Sequence, residues 1–109
     1  MAARERTPRG AMTAGTLEHD RARYDIRCNG RSIRLKLIEY RLLAALLAAT
    51  GEPVTYRMIA EDAFGWLEYD ALRLPNLLAV VVRRVNRKLS DAGAASQIQA
   101  ISEVGYCLR

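Results

Sequence analysis

The chain has 109 residues, half of them apolar, and carries 17 Lys and Arg against 12 Asp and Glu for a formal net charge of +5. That is one domain's worth of chain with one modest core, and no apolar run approaches the roughly 20 residues that a bilayer crossing needs. The opening residues have charges but no apolar h-region, so no secretory signal and a cytoplasmic location are expected, while the basic balance favours polyanions such as nucleic acid.

Met1 to Thr16 is rich in Ala, Arg, Gly, Thr and Pro and shows no periodicity. It is expected to form a flexible basic tail, carrying Arg4, Arg6 and Arg9 and reaching to about residue 22, ahead of a single domain over 23–109. From Arg23 the pattern alternates: Tyr24, Ile26 and Cys28 on one face, Asp25 and Arg27 on the other. Asn29-Gly30 then supplies two residues that tolerate positive φ, and Ile33 and Leu35 alternate in turn, which predicts a β-hairpin with one wet face. At Leu37 the period changes to that of a helix through Tyr40, Leu43, Leu46 and Leu47, ending near Ala49 with Gly51 as its C-cap. Thr55 is the expected N-cap of a second helix, whose stripe is Ile59, Ala63 and Phe64. Trp66 to Pro75 reads as a loop. A third helix spans Asn76 to Ser90, with Leu78, Val82, Val85 and Leu89 on its buried face. Gln97 to Arg109 forms a second hairpin with its tip at Ser102-Glu103-Val104-Gly105.

Two cysteines, Cys28 and Cys107, are too few and too far apart for a disulfide framework or a zinc site, and they read as reduced, half-buried small hydrophobes. His19, the single histidine, has no nucleophile or acid constellation around it. With no paired carboxylates, metal cluster or Gly-rich phosphate loop, neither an enzyme nor a cofactor is expected.

The basic charge is concentrated where it can act. The third helix carries Arg83, Arg84, Arg87 and Lys88 with no acid between Leu74 and Ser90. Once the buried stripe is fixed, Val80, Arg83, Arg84 and Arg87 share much of the opposite side. A helix fits the major groove of duplex DNA, arginine pairs bidentately with guanine, and valine can pack on a thymine methyl. Four cations equally suit an acidic protein partner. The order of helix, helix, cationic helix and hairpin is that of a winged helix-turn-helix, an α+β fold with N-terminal antiparallel strands, a three-helix core and a C-terminal wing.

Four segments in order resemble the OmpR/PhoB-type effector domain of response regulators. Ile33 to Leu43 is similar to the family's "L-T-x-x-E-(F/Y)-x-L-L". Gly51 to Thr55 followed by Ile59, Ala63, Phe64 and Gly65 is similar to "V-(S/T)-R-x-x-L-x-x-x-V-W-G". Leu78 to Leu89 resembles "V-D-V-H-I-x-R-L-R-x-K-L", and Ile98 to Tyr106 resembles "I-x-T-V-R-G-x-G-Y". The resemblance implies a transcription regulator that places the third helix in the major groove and the hairpin toward the minor groove of double-stranded DNA, often as a tandem pair or homodimer on repeated half-sites. It implies DNA contacts at Val80, Arg83 and Arg84, to which the charge pattern adds Arg87 and Lys88. Asn76 at the helix start and Ser102 at the wing tip complete the candidate set. It also implies RNA polymerase as a partner of the 66–75 loop, with Trp66 and Tyr69 as candidate contacts. No receiver domain fits in these residues, so a free-standing effector domain is expected.

The chain also departs from the pattern. Ala79 and Val81 stand where Asp and His are usual, and Asn86 replaces an Arg. Lys36 replaces the capping Thr of helix one, so the box with Glu39 loses its hydroxyl half. Ala100 replaces a Thr, and Ser102-Glu103 replaces Arg-Gly in the wing. These departures motivate a second reading: a winged-helix protein-interaction module for RNA polymerase or another regulator, with Val81 and Leu77 as an apolar stripe beside the arginines.

Overall fold

In a computed structural model, which describes residues 16–109, the first alternating segment pairs as its pattern predicts. Strands β2 (Asp25–Cys28) and β3 (Arg31–Ser32) join through Asn29 and Gly30, both at positive φ (54° and 82°). The strand ends earlier than alternation suggests. Ile33 N–H still donates to Ile26 O at 3.1 Å, but Arg34 sits at φ 59°, and the chain turns away before Leu35 can pair. A further strand, β1 (Leu17–Asp20), pairs antiparallel with β2, and a single 3-10 turn over Arg21–Arg23 joins them. Residues 17–22, assigned to the tail from composition, are therefore ordered by this pairing. Arg4, Arg6 and Arg9 lie outside the described residues. His19 Nε2 lies 2.7 Å from the Tyr40 hydroxyl, which gives the single histidine a structural partner.

Helix α1 (Leu37–Ala48) buries Glu39, Tyr40, Leu42, Leu43 and Leu46. Its capping box is half-made: Lys36 N–H donates to Glu39 Oε1 at 2.8 Å, and a lysine side chain has no oxygen to return the bond. Thr50, at φ 50°, takes the left-handed position after the helix, and Gly51 follows at φ 88°. Strand β4 (Val54–Thr55) comes next, too short for its period to be read. Thr55 then caps α2 as expected, accepting from Met58 N–H at 3.1 Å. Helix α2 begins as Tyr56–Met58 and widens over Ile59–Ala63, where Phe64 N–H reaches Ile59 O at 3.0 Å.

Helix α3 (Leu74–Asp91) starts two residues before the expected Asn76, because Pro75 occupies the first turn, where its missing N–H costs nothing. Leu78, Val81, Val82, Val85 and Leu89 are buried on it. Val81 thus belongs to the core, and no Leu77–Val81 surface stripe exists. The helix is covered on two sides, by α1 and by the C-terminal hairpin, so its buried arc is wider than one stripe. Strands β5 (Ile98–Ile101) and β6 (Gly105–Leu108) form that hairpin, and β4 pairs with the other edge of β6, in the order β4-β6-β5. Cys28 and Cys107 are fully buried rather than half-buried, and burial pushes the Cys28 thiol up, which keeps it protonated. Among the described residues no helix is long and apolar enough to cross a membrane.

Candidate nucleic-acid interface

Burial of Leu78, Val82, Val85 and Leu89 fixes the rotation of α3 about its axis and leaves Arg83, Arg84 and Arg87 exposed. Val80 is also exposed, at 38%. Asn76 is exposed in the first turn. Across a groove of about 400 Å³ these α3 residues, from Val80 to Arg87, face Lys36 at the start of α1. The cations of this face are unmatched, unlike several others on the surface. Arg23, Arg27, Arg57 and Arg73 all have carboxylate partners within 4.0 Å. Lys36, Arg83, Arg84 and Arg87 have none among the described residues. The paired cations are already neutralised, whereas the groove's cations remain available to an outside anion.

Lys88 is the exception among the expected contacts. It falls on the helix one turn beyond Arg84, but its Nζ is turned inward to Glu39 Oε1 at 2.6 Å and to Arg34 O at 3.0 Å. Glu39 is 1% exposed. Burial raises its carboxyl pKa, but the Lys88 bond, the Lys36 N–H and the two nearby charges outweigh that effect and hold it below the ordinary carboxylate range. Lys88 is therefore committed to holding α3 against the start of α1.

Asn86, which pattern comparison marks only as a lost arginine, has a role that no sequence period reveals. Its Nδ2 donates to Ile98 O at 3.0 Å, and its Oδ1 accepts from Ile98 N–H at 2.8 Å. This two-point bond fixes the first strand of the wing to α3. The wing tip carries Ser102 and Glu103, both exposed. Val104 N–H closes the turn on Ile101 O at 2.9 Å with Glu103 at φ 61°. A left-handed conformation costs a non-glycine residue about 1–2 kcal/mol, of which glycine's larger unfolded-state entropy offsets roughly 0.5–1. Glu103→Gly is therefore expected to stabilise the domain by about 0.5–1 kcal/mol and, by removing an acid from the wing, to tighten binding to duplex DNA. Thermal unfolding and a binding titration check the two effects, and a variant that binds no more tightly than the wild type would show that the wing tip does not face phosphate.

In the connection from α2 to α3, the aromatic residues are packed rather than presented. Trp66 lies against Phe64 with ring centroids 4.9 Å apart, and Tyr69 donates its hydroxyl to Glu61 Oε2 at 3.3 Å. The side chains that protrude are Leu67 and Leu72, each 90% exposed.

Comparisons with known proteins bear on this arrangement. A family model described as "Transcriptional regulatory protein, C terminal" matches residues 30–108. A structure from a family of redox sensors in the streptococci, evolved from two-component response regulators, is 25% identical with a TM-score of 0.69, covering 85% of this chain. The chain spans 39% of that protein's length. The DNA-binding domain of the response regulator AdeR, solved in complex with an intercistronic region, is 20% identical over 84% of this chain and 92% of its own, with a TM-score of 0.70. The Klebsiella pneumoniae RstA DNA-binding domain, solved in complex with the RstA box, is 19% identical over 88% and 93%, with a TM-score of 0.69. At these identities the last two likenesses show the fold. No curated protein matches the chain.

Proposed function

The chain belongs to the family of transcriptional regulatory protein C-terminal domains, which are DNA-binding regulators and not enzymes, and on that premise we propose that it reads a specific duplex sequence with α3 in the major groove. The observation that carries this reading is the row of exposed, unpaired Arg83, Arg84 and Arg87 on a helix whose opposite face is locked in the core. A helix that cannot rotate presents its side chains to the groove in one register, which sequence readout requires. Arg83 and Arg84 are assigned to base edges or flanking phosphates, Val80 to a thymine methyl, and Asn76 and Arg87 to the sugar-phosphate backbone. The β5–β6 hairpin serves as the wing, with the Ser102 hydroxyl as a phosphate donor. Lys88 drops out of the contact set because its charge is already matched. The AdeR and RstA complexes with DNA support this assignment by their shared fold. A tandem or homodimeric arrangement on repeated half-sites belongs to the same proposal.

The test is affinity sequencing of fragmented genomic DNA with the purified protein at two salt concentrations, beside Arg83→Ala/Arg84→Ala. One enriched motif, lost in the variant, is the expected result. Within that motif, Arg84→Ala alone should cost about 1–3 kcal/mol and relax the preference at one or two base pairs. Absence of enrichment at either salt would sink the reading.

The protruding Leu67 and Leu72 favour a protein contact through the 66–75 loop, and RNA polymerase is the partner proposed for it. Leu67→Ala/Leu72→Ala is expected to leave DNA affinity unchanged while shifting transcript yield in a purified polymerase assay toward the regulator-free level. An unchanged yield would exclude this surface. Polymerase retention by a protein that enriches no DNA motif would instead favour the protein-interaction module.

A further inference from the structure

We propose that the DNA-contacting surface continues beyond α3 onto the connection between β3 and α1, where Arg31 and Arg34 form a second phosphate clamp beside Lys36. This inference rests on the DNA-binding reading above and extends it to a part of the fold that the third helix and wing do not include.

Three observations meet there. The first is continuity. The groove that holds Arg83, Arg84 and Arg87 includes Lys36 and Lys88, and a second concavity of about 310 Å³ includes the same Lys88 together with Arg31, Ser32 and Arg34. The two hollows therefore adjoin at Lys88 and form one cationic track toward the C-terminal end of α3. Asp91 is the one acid in the second hollow, and Glu39 in the first is already matched by Lys88.

The second observation is availability. Arg31, Arg34 and Lys36 are exposed and have no ion-pair partner among the described residues. Arg27, one strand-pair away on the same sheet, is held by Asp20 at 3.0 Å.

The third is the backbone at Arg34. It adopts φ 59°, a conformation that glycine takes freely and a long side chain does not. The strain is held from both sides: Arg34 N–H donates to Ser32 Oγ at 3.0 Å, and Lys88 Nζ donates to Arg34 O at 3.0 Å. The main chain is thus fixed by the element that carries the reading arginines, while the guanidinium stays in solvent. From Arg84 to Asp91 the helix rises about 10 Å, close to the roughly 12 Å width of the major groove. The hollow that holds Arg31 and Arg34 is reached at the Asp91 end of that path, on the length scale that separates the groove from the phosphate strand at its edge.

A phosphate clamp adds affinity to every sequence and steepens the salt dependence, without changing the motif. The test compares the full chain with Arg34→Gly and with Arg31→Ala/Arg34→Gly, measuring duplex affinity from 50 to 200 mM salt on the enriched motif and on unrelated DNA. Arg34→Gly deletes the guanidinium but keeps both main-chain bonds and removes the left-handed strain, so its Tm should equal or exceed that of the wild type. Two lost contacts at about 0.9 each should lower the salt slope by roughly 1.8, so that the wild type loses about twelvefold more affinity than the double variant over that salt range. The loss should be equal on both DNAs. An unchanged slope in a folded double variant, with the wild type still selecting its motif, overturns the clamp alone. A wild type with flat salt dependence and no motif overturns the DNA reading and the clamp with it.

Discussion

Lys88→Met is expected to destabilise the domain by about 3 kcal/mol, the lower end of the range for breaking a buried pair. The lower end applies because Lys88 keeps 29% of its side chain exposed, whereas Glu39 keeps only 2%. A drop in Tm of at least about 12 °C follows for a domain of this size. The loss arises less from the missing attraction than from the carboxylate left behind in the core. That makes it dependent on pH, with a sign that can be worked out. In the wild type the folded pKa of Glu39 is depressed, so its contribution is complete above the ordinary carboxylate range and is lost as pH falls through the depressed value. In the variant, burial opposed only by the Lys36 N–H and the Lys36 charge moves the same pKa upward from its wild-type position, and protonation on acidification relieves the penalty. The stability gap between the two proteins should therefore narrow from pH 7 toward pH 4 in denaturant titrations. A gap of constant size would assign the loss to packing and not to charge. Adding Glu39→Leu should restore most of the stability, since an apolar pair needs no counter-charge.

This pair also shows what could and could not be read from the sequence. The spacing of Leu78, Val82, Val85 and Leu89 located the buried face of α3, and Arg83, Arg84 and Arg87 emerged opposite it as expected. Local periodicity carries that information. Lys88 did not follow it, because its partner lies 49 residues earlier in the chain. A signal was present: Glu39 interrupts the apolar run of α1, and a buried carboxylate requires a cation. Val81 was misplaced for a related reason, since a helix covered by both α1 and the wing buries a wider arc than its strongest stripe. Strands β1 and β4 were missed because the four polar-rich residues of Leu17–Asp20 and the two of Val54–Thr55 have no pattern of their own and are strands only through their neighbours. In the α2–α3 loop the sequence shows which side chains are apolar but not which of them are packed: Trp66 and Tyr69 have local partners, and Leu67 and Leu72 are left outside.

The wing depends on a different kind of residue. Gly105→Ala is expected to cost more than about 3 kcal/mol, beyond the usual range for adding one methyl group to a core. Gly105 opens β6 and pairs with Ile101 on one side and Thr55 on the other. Its φ is not in the left-handed region, so the requirement is for space. A Cβ would fall far inside van der Waals contact with the Val54 carbonyl oxygen and 2.8 Å from Thr55 Cα, both main-chain atoms that cannot rotate away. Accommodating it means separating β4 from β6. That separation would also pull on Thr55, the cap of α2, and on Tyr56 N–H, which donates to Val104 O at 3.1 Å. The base of the wing and the start of α2 would move together. Gly93→Ala provides the comparison: φ there is 79°, but nothing lies within 4 Å of the added carbon, so only the conformational cost applies, about 0.5–1 kcal/mol net of the unfolded-state entropy that replacing glycine recovers. Chemical denaturation of both variants should place Gly105→Ala well below Gly93→Ala. If Asn86 holds β5 to α3 as its bonds to Ile98 indicate, the surviving folded fraction of Gly105→Ala should retain major-groove protection in a footprint while losing protection of the adjoining minor groove. Equal stability of the two variants would mean that β4 is free to move and that the wing is not braced from that side.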